Sequence, residues 1–121
     1  MQLVCWEATN LPQIQIHRMD RIERLKEFLQ TTPTDLFVLH ALGLEYVKLG
    51  NEHLAQQQFE QVLLIDEGYV GSYYHLAKLF ERTGQEAAAI ATYQKGMNKA
   101  QAAGDNHALS ELRSAFEELT F

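Results

Sequence analysis

The chain has 121 residues, enough for one domain, and 46% of them are hydrophobic, enough to bury a core and exclude disorder of the whole. A formal net charge of −6 gives no bulk attraction to nucleic acid or to an anionic membrane surface, and neither partner is expected. The one cysteine, Cys5, excludes an intrachain disulfide, no apolar run approaches the roughly 20 residues of a membrane-spanning helix, and MQLVCWEATNLPQ lacks the basic start of a secretory signal, so a cytoplasmic location is the default expectation.

Residues 1–18 are the least regular stretch. Ile14 and Ile16 alternate with glutamines and no helical stripe is present. Two expectations stand side by side: an ordered arm packing Val4, Trp6, Ile14 and Ile16 on the domain, or an extension ahead of a natural start at Met19. The domain proper is expected over 19–121. It opens with MDRIERLKEFLQTTP, in which Leu25, Phe28 and Leu29 form an apolar stripe and Asp20 is the expected N-cap.

The next stretch is a helical hairpin in outline. Leu39, Leu42 and Tyr46 recur at helical spacing, Gly50 suits a helix end, and Asn51 is an N-cap for a second stripe of Ala55, Phe59, Val62 and Leu63. Gly43 sits inside the first helix, where glycine costs about 1 kcal/mol relative to alanine. A closely approaching second helix would offset that cost. A shift of 34 residues then lays this hairpin on a copy of itself. Leu39 falls on Tyr73, Leu42 on Leu76, Gly43 on Ala77, Tyr46 on Phe80, Gly50 on Gly84, Ala55 on Ala89, Phe59 on Tyr93 and Leu63 on Met97. Each pair keeps its size class.

L-G-x-x-Y at 42–46, Gly50, and A-x-x-x-F at 55–59, repeated as L-A-x-x-F, Gly84 and A-x-x-x-Y, resemble the tetratricopeptide repeat, a 34-residue helix-turn-helix unit. Pro33 stands where that family places its proline, whereas Glu67 and Gln101 replace it in the two full units. Leu109, Leu112 and Phe116 lie 36 residues beyond Tyr73, Leu76 and Phe80, an offset assigned to an insertion at Gly104-Asp105. Arg113 takes the place of the family's small residue. The resemblance implies an all-α fold, a short right-handed helical-hairpin solenoid of about six helices. Its parts are a half repeat over 19–35, repeats over 36–69 and 70–103, and a polar-faced capping helix over 106–120.

No catalytic or metal motif emerges. His17, His40, His53, His75 and His107 have no H-E-x-x-H or cysteine partner spacing, and no nucleophile elbow or phosphate-cradling loop occurs, so no enzyme activity, metal or cofactor is expected. The resemblance implies instead that the first helix of each repeat lines a concave groove for a protein or peptide ligand. The residues in that position are Phe37, His40, Ala41, Leu44, Val47 and Lys48, then Tyr74, His75, Lys78, Glu81 and Arg82. Four Lys/Arg against two acids between Val70 and Ala103 suggest a basic half beside the apolar one, suited to a ligand with acidic groups. His40 and Leu44 stand where some members clamp a chaperone's C-terminal carboxylate, so that ligand is not expected. A self-associating homodimeric module is the alternative, and an accessory subunit of an enzyme a further one.

Overall fold

The structure, a computed structural model, describes residues 13–121, with side chains from Met19 onward. Six α-helices follow one another: α1 (Gln13–Thr31), α2 (Leu36–Leu49), α3 (Glu52–Ile65), α4 (Gly71–Arg82), α5 (Glu86–Ala103) and α6 (Asn106–Thr120). No strand occurs among the described residues. The arm expected from Val4 and Trp6, the Cys5 thiol, and the side chains of Ile14, Ile16 and His17 lie outside them. The helix α1 starts at Gln13, so Asp20 is not its N-cap but an interior residue that pairs with Arg24 one turn on.

Helix ends follow the local chemistry. Asp35, Asn51 and Asp105 each accept a hydrogen bond from the backbone N–H three residues on, at 3.0, 3.2 and 3.0 Å, which satisfies an otherwise orphaned donor. Gly50 closes α2 in the left-handed region (φ 85°), donating to Tyr46 and Val47 carbonyls, a conformation that glycine adopts without a Cβ clash. Gly104 does the same for α5, with φ 70°. This explains the 36-residue offset noted in the sequence. The helix α5 continues through Gln101, where a proline would break it, and only Gly104 and Asp105 separate it from α6.

The helices stack as a slab two layers deep. Each of α2, α4 and α6 packs on the helix before it, and α2 and α4 also pack on the helix after, while α4 and α6 touch directly. One continuous core holds Leu42, Tyr46, Ala55, Phe59, Tyr73, Leu76, Ala77, Phe80, Ala89, Tyr93 and Leu112. Two helix crossings bring a glycine close against the facing helix. A Cβ on Gly43 would stand 2.7 Å from the Phe59 ring, and one on Gly96 would stand 2.7 Å from Cβ of Tyr73. Glu67, the residue in place of a proline, ties the α3–α4 turn to α5 through Lys95 and Lys99 at 3.1 and 3.2 Å, and its backbone carbonyl accepts from the Tyr73 hydroxyl at 2.7 Å. These ion pairs hold the Glu67 carboxyl below its ordinary range.

A candidate binding face along α2, α4 and α6

Helical spacing places Phe37, His40, Leu44, Val47 and Lys48 along one side of α2, turned away from the buried Leu39, Leu42, Gly43 and Tyr46. Phe37 is 71% exposed, a large apolar group left in solvent at the start of α2. Leu44 and Val47 are half-buried and rest on the core. Lys48 is exposed and pairs with Glu45 at 3.2 Å. Glu45 is itself 4% exposed and takes a second cation, Arg21 of α1, at 3.3 Å. That carboxylate therefore joins α1 to α2.

A cluster of rings joins α2 to α4. The His40 ring lies 5.5 Å from that of His75, 5.4 Å from Phe59 and 5.5 Å from Tyr69. His75 stacks on Phe59 (5.7 Å, 16°) and meets Tyr74 edge-on. His40 Nδ1 and the buried Ser72 hydroxyl share a hydrogen bond of 2.8 Å. Burial, and secondarily the neighbouring His75, lowers the His40 pKa to about 4. Burial lowers His75 as well, with Glu111 opposing the shift and Arg82 adding to it. His40 and His75 thus form a packed, neutral joint, and no group of three or more metal-capable side chains occurs among the described residues.

The basic half expected on α4 is occupied by carboxylates of the chain itself. Lys78 Nζ lies 3.6 Å from Glu81 and 5.7 Å from the centre of the Tyr74 ring. Arg82 Nε donates to Glu52 of α3 at 3.1 Å, which turns it toward the α3 edge. Glu81 is also bonded by the Tyr93 hydroxyl, which reaches it from α5. Beyond Lys78, a hollow of about 200 Å³ opens between α4 and α6, lined by Tyr74, Lys78, Glu111, Ser114, Ala115 and Glu118. Glu111, Ser114 and Glu118 were not among the residues expected on this face. Their i, i+3, i+7 spacing carried the signal, but they were assigned to the polar outside of a capping helix.

The tetratricopeptide repeat model matches residues 38–69 and 70–98. A tetratricopeptide repeat domain protein of Salinibacter ruber, solved by crystallography, is 40% identical, over 71% of this chain and 96% of that one, with a TM-score of 0.69. The chain belongs to the tetratricopeptide repeat family. The same fold appears, at lower identity, in the TPR2B domain of yeast Sti1 in its complex with pHsp70, with a TM-score of 0.80 at 14% identity over 88% of this chain and 86% of that one. It appears again in PcrH, in complex with the chaperone binding region of PopD, with a TM-score of 0.80 at 18% identity over 98% and 91% of the two chains. No curated protein matches the sequence. Within this tetratricopeptide fold, α2 and α4 are the first helices of the two matched repeats, the position where the groove was expected, and α6 packs beside α4.

Proposed function

We propose that the chain is a non-catalytic protein-interaction scaffold that holds a peptide or partner segment along the face of α2, α4 and α6, acting in the cytoplasm. The observation that carries this reading is Phe37, a solvent-exposed aromatic in line with the half-buried His40, Leu44 and Val47 on one side of α2. An exposed aromatic beside a half-buried apolar line fits the anchoring of a partner side chain. Two structures with the same fold, those of Sti1 and PcrH, were solved with bound partners. An acidic ligand, the version suggested by the cation count, would have to draw Lys78 and Arg82 away from Glu81 and Glu52.

Photo-crosslinking tests the face directly. A crosslinking residue at Phe37 or Leu44 should capture a partner segment from native lysate. One at Thr92, on an apolar hollow of about 270 Å³ beside α3 and α5, should not. Phe37→Asp should abolish capture at Leu44 while leaving the helix content unchanged. Capture from Thr92 alone would move the binding face to the other side of the slab.

A further inference from the structure

We infer that the α4–α6 end of this face receives a lysine or arginine side chain of the bound segment, paired by Glu111 and Glu118 over the Tyr74 ring. The inference rests on the groove reading and adds the chemistry of one subsite to it.

Three observations converge. The first is shape. The hollow between α4 and α6 measures about 200 Å³, room for one long side chain rather than a drug-sized ligand. Tyr74, Ala115 and the stem of Lys78 supply apolar wall, with Ser114 and two carboxylates beside them. Glu111 and Glu118 are seven residues apart on α6, two turns along one side, so they flank the hollow from both ends.

The second is charge. Glu111 and Glu118 have no ion-pair partner among the described residues. Lys78, the cation lining the same hollow, is balanced by Glu81. The subsite therefore carries two carboxylates without a counter-charge, and an incoming cation complements it. Their field is felt nearby: Glu111 raises the pKa of His75 against the effect of burial, and Glu118 adds to the upward shift of Tyr93. The negative net charge of the whole chain would steer a basic segment toward it.

The third is the ring. Lys78 Nζ lies 5.7 Å from the Tyr74 centroid, so the ring already takes an ammonium group, and an incoming ammonium or guanidinium would use it by displacing Lys78 toward Glu81. A guanidinium would use its fork on one carboxylate and still have an N–H for the Ser114 hydroxyl.

A displayed library of random heptapeptides, selected in parallel on immobilised wild-type protein and on the E111Q/E118Q double variant, tests this without a known partner. Both glutamates are exposed, and circular dichroism verifies the fold of the variant. The wild-type pool should be enriched in Lys or Arg beside a large apolar residue. The variant pool should keep the apolar residue and lose the basic one. A peptide from the wild-type pool should bind the variant roughly tenfold more weakly in fluorescence anisotropy. A wild-type pool rich in apolar residues but not in Lys or Arg, or rich in Asp and Glu, would overturn this subsite and leave the groove standing. So would an unchanged basic pool on the variant. No enrichment over bare support would overturn both readings.

Discussion

A Cβ on Gly43 would stand 2.7 Å from Cε1 of Phe59, whose ring is fully buried. The glycine is therefore a packing residue, and its helix-propensity cost is offset by the approach of α2 to α3. Gly43→Ala gains about 1 kcal/mol of propensity and meets overpacking of typically 1–3 kcal/mol, so a net loss of up to about 2 kcal/mol is expected in urea unfolding. Gly96→Ala should cost more, because the clash at 2.7 Å is with Cβ of Tyr73, an atom fixed to its backbone. A stabilised Gly43→Ala would mean that the ring yields.

The ring joint between α2 and α4 predicts acid sensitivity. The pKa of His40 falls from 6.5 to about 4 on folding, so the unfolded chain binds the proton more readily. The stability that neutral His40 contributes is complete above pH 6.5 and is lost as the pH falls from there to about 4. Because the ring is partly in contact with solvent, the loss is on the order of 1–2 kcal/mol rather than the full shift. His75 and Phe59 face the same ring, and Glu111 and Arg82 act on His75 with opposite sign. Denaturation of wild type and His40→Asn at several pH values checks this: the stability difference between them should narrow between pH 6.5 and 4.

Glu45 is a buried carboxylate with two cations, and removing one should loosen α1. Arg21→Met is expected to destabilise the chain by about 1–3 kcal/mol, since a buried charge loses part of its compensation. Hydrogen exchange should rise first in the amides of α1, which packs on α2. Uniform change across all helices would show that the pair acts on the whole domain instead.

Tyr73→Phe removes the hydroxyl that donates to the Glu67 carbonyl and leaves the ring in place. A loss of about 0.5–1.5 kcal/mol is expected in thermal or urea unfolding. The α3–α4 turn should remain attached through Lys95 and Lys99 at low salt and loosen further in high salt.

Both ends of the slab carry arginine where the inner repeats carry a small residue. Arg113 is in register with Gly43 and Ala77, and Arg21 with Ala55 and Ala89. Another hairpin stacking on either end would have to bury a guanidinium at its closest crossing. Light scattering should therefore find a monomer. A concentration-dependent dimer that survives Phe37→Asp would overturn this.

The repeat made most of the fold legible. Its 34-residue step fixed the hairpins, the Gly50 turn and the Asn51 cap, because each depends on spacing within a few residues. The start of α1 was missed because Gln13–Met19 lacks an apolar stripe; among the described side chains of α1, Ile22 is the buried one. The candidate face was half legible. A stripe on one helix reveals which residues share a side, and Phe37, His40, Leu44 and Val47 do. It does not reveal which neighbour a long side chain reaches, so Arg82 was placed in the groove although it bonds Glu52. For the same reason the sign of the charge near α6 was obscured: Glu111 and Glu118 come beside Tyr74 only through the packing of α6 on α4.

The turn from α5 to α6 contains two residues, Gly104 and Asp105, both used as caps. So short a connection fixes the tilt of the last helix against its predecessor and leaves little slack there. The seam between α2 and α4 has one hydrogen bond and a set of ring contacts instead. If ligands of different girth are to be accommodated, the aperture has to widen at that seam, with the far lip staying where it is.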